Sequence, residues 1–198
     1  MNHWLKEITL HGNLVRLEPL SLEHTKGLEL AVQDGELWKL WYTTAPEPLK
    51  VSEYIERALS EMQQGSSLPF AVIRQEDDTV LGTTRYMHID HQTKRLEIGS
   101  TWYAKSVQRS GVNTECKFLL LRHAFEDLNC VAVEFRTHWH NLASRNAIAR
   151  LGAKQDGILR NHLIDKTGGL RDTVVFSILN SEWHAVKQSL LFKMKGQY

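Results

Sequence analysis

Residues 107–115 read Val-Gln-Arg-Ser-Gly-Val-Asn-Thr-Glu, a short polar join holding one glycine. To its left, residues 95–103 carry a strand-like run. To its right, residues 114–128 carry a helical one. A tight loop that opens a helix exposes unpaired backbone N–H groups and the positive end of the helix dipole. That arrangement binds phosphate. The spacing therefore points to a pyrophosphate seat built from Gln108, Arg109, Ser110, Gly111, Val112, Asn113 and Thr114. Gly111 would let the backbone approach an anion closely, and Arg109 would add charge. An ordinary strand–helix turn is the plainer alternative.

Two further clusters could do chemistry. His138 and His140 flank Trp139 and share a strand face at i and i+2. No third ligand is evident, and Cys130 lies too far along the same strand, so no metal is expected. Histidines at a strand end beside a cleft are the better account. Trp38, Trp41 and Tyr42 precede a loop with Pro46 and Pro48. They either pack the core or line a ligand groove, and different rings can do each.

These groups need a frame. Residues 13–20 alternate like a strand closed by Pro19, and Ser21 then caps a helix reaching about Gln33. A second helix begins at Ser52 and ends near Gly65. Three strands follow at close spacing, residues 68–74, 80–89 and 95–103, joined by short polar turns. Turns this short require an antiparallel meander. After the helix at 114–128 come a strand at 130–139 and a helix that starts at residues 141–144 and ends at Gly152. A hairpin at 157–164 and 170–179, and a last helix from Ser181, complete the chain. The fold expected is of α/β (α+β) type, one domain with a mixed, mostly antiparallel sheet of about seven strands and helices on both faces.

Composition narrows the function. Twenty-four basic residues against 23 acidic ones leave a net charge of +1, so nothing overall calls for nucleic acid or an anionic membrane. No apolar run approaches the ~20 residues of a membrane-spanning helix. The first seven residues show no secretory core, and Cys116 and Cys130 read as two reduced, buried thiols. A cytoplasmic protein is expected.

At this point the motifs can be compared. Gln108-Arg109-Ser110-Gly111-Val112-Asn113 resembles the Q/R-x-x-G-x-G/A signature of the GNAT acetyltransferase superfamily. Asn113 stands where many members carry Gly or Ala. Asn141-Leu142-Ala143-Ser144, closing on Leu151-Gly152-Ala153, resembles that family's second motif. The opening residues 14–20 and the Arg171-Asp172 hairpin look like the RimJ/RimL branch.

The resemblance implies acetyl-CoA as donor, a primary amine as acceptor, and a possible homodimer. Loop amides would hold the pyrophosphate, while backbone groups near Trp102, Tyr103 and Ala104 would pair with the pantetheine arm. One such N–H would polarise the thioester carbonyl. Ser144 resembles the hydroxyl that acts as general acid toward the CoA sulfur, with a helix-cap role as the alternative. Asn141 would bind the pantetheine or cap that helix, and Arg145 could reach a CoA phosphate. Glu97 resembles a base acting through water, with Glu134 as runner-up. A silent CoA-binding module and an unrelated nucleotide-phosphate binder are the competing functions. The acceptor is expected to be a protein N-terminus or a small-molecule amine.

Overall fold

Eight strands form one open sheet in the computed structural model, which describes residues 4–196. Residues 1–3, read above for a secretion signal, lie outside the described residues. The strands are β1 (Leu10–His11), β2 (Val15–Pro19), β3 (Ser67–Arg74), β4 (Val80–Asp90), β5 (Arg95–Tyr103), β6 (Ala132–His138), β7 (Lys154–Ile164) and β8 (Leu170–Leu179). Their order in the sheet is β1-β2-β3-β4-β5-β6-β8-β7. Every neighbouring pair is antiparallel except β5 and β6. The eighth strand is β1, two residues on the edge and too short to leave a period in the sequence.

Five helices cover the sheet: α1 (Thr25–Gln33), α2 (Val51–Gln63), α3 (Val112–Arg122), α4 (Leu142–Leu151) and α5 (Asn180–Met194). On one face α3 and α5 bury Cys116, Leu119, Leu120 and Trp183 against Tyr86, Leu96, Ile98 and Phe135. On the other, α1 and α2 bury Leu28, Val32 and Ile55 against Ala71, Ile73 and Trp102. Among the described residues no helix is long and apolar enough to cross a membrane.

Ser21 caps the first turn as expected, but with histidine in the acid's place. Its N–H donates to His24 Nδ1 at 3.1 Å. Helix α3 begins two residues earlier than its pattern predicts, at Val112, and passes into a π turn, His123–Asp127. The Tyr86 hydroxyl donates to Leu120 O there at 2.7 Å, occupying a carbonyl the α ladder would otherwise use.

Two irregularities make a cleft. β5 and β6 pair only through Arg95↔Ala132, Leu96↔Val133 and Glu97↔Glu134. Beyond that point each follows its other neighbour, and a gap opens between their C-terminal halves. In β5, Gly99 faces Arg85 while Trp102 faces Thr83, so β5 carries one extra residue, a bulge at Ser100 with φ of 45°. The bulge reverses the alternation. Leu96 and Ile98 point to the α3 side, and so does Tyr103, whereas Trp102 turns to the α1–α2 side.

Candidate active site

At the mouth of that gap the chain leaves β5 and turns into α3. Ala104 closes the strand, with its N–H given to Leu81 O at 2.8 Å. A 3-10 turn over Lys105–Val107 follows. It is pinned to the end of α1, where Asp34 accepts the Lys105 N–H through its backbone carbonyl and the Ser106 N–H through its side chain, both at 2.9 Å. Hydrogen bonding from Ser106 holds the Asp34 carboxyl below its ordinary range. Gln108 Nε2 donates to Tyr103 O at 3.1 Å and Ser110 Oγ to Val107 O at 2.6 Å.

The base of the loop is thus tied down by its own polar groups, and its tip is left open. Arg109, Ser110 and Gly111 are exposed. The N–H groups of Arg109, Ser110, Gly111, Asn113 and Thr114 have no protein acceptor among the described residues. That of Val112 meets only Ser110 Oγ, at 3.3 Å. The left-handed residue is Arg109, with φ of 60°. Gly111 has an ordinary φ of −67°. The glycine therefore serves by leaving space, since a Cβ there would meet only Leu14 Cδ1, at 2.9 Å. Convergent unpaired amides at a helix N-terminus form a seat for an anion.

Beneath the bulge lies a buried lysine that the sequence reading missed. Lys117 of α3 donates to Thr101 Oγ1 at 2.7 Å and Thr84 Oγ1 at 3.2 Å. No carboxylate pairs with it among the described residues, and burial pushes its ammonium down to about 8. Below pH 8 both folded and unfolded chains are protonated, and the folded one bears the whole burial cost. Between about 8 and 10.5 the unfolded chain holds a proton the folded one has released, so this cost falls as pH rises. Lys117→Met is expected to be more stable than the parent at pH 7 by about 2 kcal/mol. That gain should shrink toward zero by pH 10. Paired denaturant titrations at both pH values check it, and a gain independent of pH would contradict the burial account.

On the α1–α2 face a row of polar groups runs along the gap. Glu97 sits at its closed end, 5% exposed. Its carboxylate is engaged by His88 Nδ1 at 2.7 Å and lies 3.4 Å from Arg136 Nε. The hydrogen bond to Glu97 raises the His88 pKa. Glu134 is beside it. Burial would raise this carboxyl, but hydrogen bonds from Arg95 (2.6 Å) and Arg136 (3.0 Å) outweigh burial and hold it low. Glu134 is thus committed to two guanidiniums.

His138 stands four residues further along β6, about 13 Å toward the open end at roughly 3.3 Å per residue. It lines a cavity of about 360 Å³ with Trp41, Tyr42, Thr43, Leu163 and Arg171. Trp41 packs edge-on to His138 at 4.8 Å between ring centroids. The three aromatics of the 38–42 segment therefore divide. Trp38 packs against the α1–α2 core and offers its carbonyl to Lys166 Nζ, while Trp41 and Tyr42 form cavity wall.

The second motif lands at the same end. Asn141 is the N-cap of α4, its Oδ1 accepting the Ser144 N–H at 3.0 Å. Of the two roles open to Asn141, capping is the one its side chain performs. Ser144 is half-buried, and its hydroxyl has no partner among the described residues. Arg145 folds back onto the Trp139 ring, 4.2 Å from its centroid, and donates to Trp139 O at 3.2 Å. It is tied to its own strand end instead of reaching outward. Ala104 has likewise given its N–H to Leu81 and accepts at its carbonyl from Val107, and by the same register Trp102 turns its main chain toward Thr83 of β4. Tyr103 therefore faces the gap, with its carbonyl already accepting from Gln108 Nε2.

Comparison with known proteins agrees with this layout. Residues 15–154 match the acetyltransferase (GNAT) domain family. A Bacillus subtilis (strain 168) protein named "Putative ribosomal N-acetyltransferase YdaF" is 25% identical over 185 residues, covering 91% of this chain and 98% of its own. The crystal structure of a GCN5-related N-acetyltransferase from Brucella melitensis superposes with a TM-score of 0.85 at 30% identity, covering 96% of this chain and 86% of that one. RimJ of Mycobacterium smegmatis, solved in complex with CoA-disulfide, shares the fold with a TM-score of 0.79 at 21% identity, over 94% and 95% of the two chains.

Proposed function

The chain belongs to the GNAT acetyltransferase family and is an acetyl-CoA-dependent N-acetyltransferase resembling the RimJ/RimL branch, and we propose that its loop at residues 109–114 grips the donor's diphosphate while the cavity beside His138 receives the acceptor amine. One observation carries the assignment of the loop. Five amides in six residues have no protein acceptor among the described residues, at the head of a helix and at the mouth of a split sheet.

Acetyl-CoA supplies the activated acetyl group as a thioester. The residues present fit such a substrate. The loop amides and Arg109 neutralise the diphosphate. Past Glu97 the side of β5 turned away from β4 has no strand partner, and there the Tyr103 N–H, beside Trp102, offers a strand-like hydrogen bond to the pantetheine arm. Ser144, at the head of α4, supplies a proton to the departing sulfur. Glu97, at the closed end of the gap and about 13 Å from His138, takes the proton of the acceptor ammonium through a chain of waters along the gap. Holding amine and acetyl group together supplies a large share of the rate enhancement. The acceptor is a protein N-terminus or a small amine that fits the 360 Å³ cavity.

The loop assignment is tested by charge reversal. Arg109 is exposed and makes no ion pair among the described residues, so Arg109→Glu should fold normally. It should raise the KM of acetyl-CoA by about tenfold, the penalty growing at low ionic strength. Stabilisation against heat by CoA, but not equally by ATP or NAD, is expected of the parent. A loop variant with unchanged KM, or a parent that CoA fails to stabilise, would overturn the assignment.

A further inference from the structure

The cavity beside His138 holds two polar groups that the transfer chemistry leaves unused. Arg171, on β8, is half-buried and has no hydrogen-bond or ion-pair partner among the described residues. Desolvating a guanidinium without compensation is costly. The nearby carboxylate, Asp165, is occupied by its own turn, accepting from the N–H groups of Thr167 at 2.7 Å and Gly169 at 3.2 Å. Lys166 also lines the cavity, with its ammonium donated to Trp38 O. Two cations against one carboxylate leave the cavity positive.

His138 is 3% exposed, and its Nε2 has no hydrogen-bond partner among the described residues. Its Nδ1 accepts the His140 N–H at 3.0 Å, so the ring proton sits on Nε2. Burial, with Arg171 and His140 adding to it, keeps the ring neutral by lowering its pKa. The register pairs His138 with Thr173, two residues from Arg171 on β8, so both side chains rise from the same face of the sheet. A fixed cation and a buried N–H donor therefore share one cavity with an aromatic wall at Trp41.

We propose that Arg171 and His138 form an anion seat that makes the enzyme prefer acceptor amines carrying a carboxylate or phosphate on the same molecule. This rests on the acetyltransferase reading of the same cavity. The alternative is a cavity that reads only shape, in which a neutral amine would serve as well.

Three amines of similar length separate the cases: β-alanine, phosphoethanolamine and ethanolamine. For the parent, kcat/KM should be at least tenfold higher for one of the anionic amines than for ethanolamine, and which one is preferred identifies the anion. Arg171→Gln should bring that ratio to within about twofold while the KM of acetyl-CoA stays put. Arg171→Lys should restore part of it. Binding is measured in parallel, as the change in melting temperature of the CoA-loaded protein with each amine, and does not depend on turnover. Ethanolamine matching both anionic amines in rate and binding would overturn the proposal, as would an equal loss on all three amines in Arg171→Gln. Turnover indifferent to the anion would leave the acetyltransferase reading standing. Anion-selective binding with no thiol release from any amine would support the seat and count against that reading.

Discussion

Replacing Ser144 by alanine is expected to lower kcat by about a hundredfold and to leave the KM of acetyl-CoA within twofold, the size and pattern of a lost general acid. The hydroxyl stands at the third residue of α4, and nothing among the described residues competes for it. Its backbone N–H is already capped by Asn141, so the side chain is not needed to finish the helix. A sulfur leaving as thiolate near this point would also meet the positive end of the α4 dipole. That field survives the substitution and supports residual activity. Ser144→Thr keeps a hydroxyl and should recover much of the rate. Single-turnover measurement removes product release from the comparison. A kcat equal to the parent's would show that solvent protonates the sulfur and would strip Ser144 of this role.

The second large effect is on stability. Glu115, in the first turn of α3, is 5% exposed and accepts three backbone N–H groups: Asn13 at 2.8 Å, Leu14 at 2.7 Å and Val15 at 2.9 Å. It thereby holds the β1–β2 turn against the helix that follows the 109–114 loop. The approach is close, and a Cβ on Gly12 would lie 2.6 Å from the Glu115 carboxyl carbon. Glu115→Ala leaves all three donors without an acceptor and should cost about 4 kcal/mol, since each bond to a charged group is worth roughly 1.5–3 kcal/mol before relaxation. Glu115→Gln keeps one acceptor oxygen and should cost about half as much. Denaturant midpoints would register both, and a loss below about 1 kcal/mol for the alanine variant would mean that water replaces the carboxylate.

The loop and its two flanking elements were legible because the information is local. A strand period, a polar join with one glycine and a helical period lie side by side in residues 95–128, and helix geometry alone leaves the first amides unpaired. The hairpins and helix ends were legible for the same reason. The start of α3 at Val112 was less so, because Val112 and Asn113 carry no helical pattern of their own. Nothing in the sequence around Glu115 marks it out. Its partners lie a hundred residues earlier, and no spacing reveals them.

His138 shows the same limit from the other side. Its sequence neighbours suggested a metal pair, weakly, whereas its actual surroundings are Trp41 from the α1–α2 connection and Arg171 from the last hairpin. Those three residues meet only because β6 pairs with β8 in one register and the 37–45 segment folds across the gap.

By itself, then, the sequence settled the succession of strands and helices, the short β1 apart, and the polar turn that opens α3 with its first amides unpaired, since both follow from side-chain periods and from hydrogen bonds that neighbouring residues leave unmade. The tertiary structure decided where β5 and β6 part, how one extra residue at Ser100 puts Tyr103, and not Trp102, on the face of Leu96 and Ile98, and which distant side chains share the cavity beside His138. Those outcomes depend on register between strands far apart in the chain, and a shift of one residue would have sent every side chain to the other face.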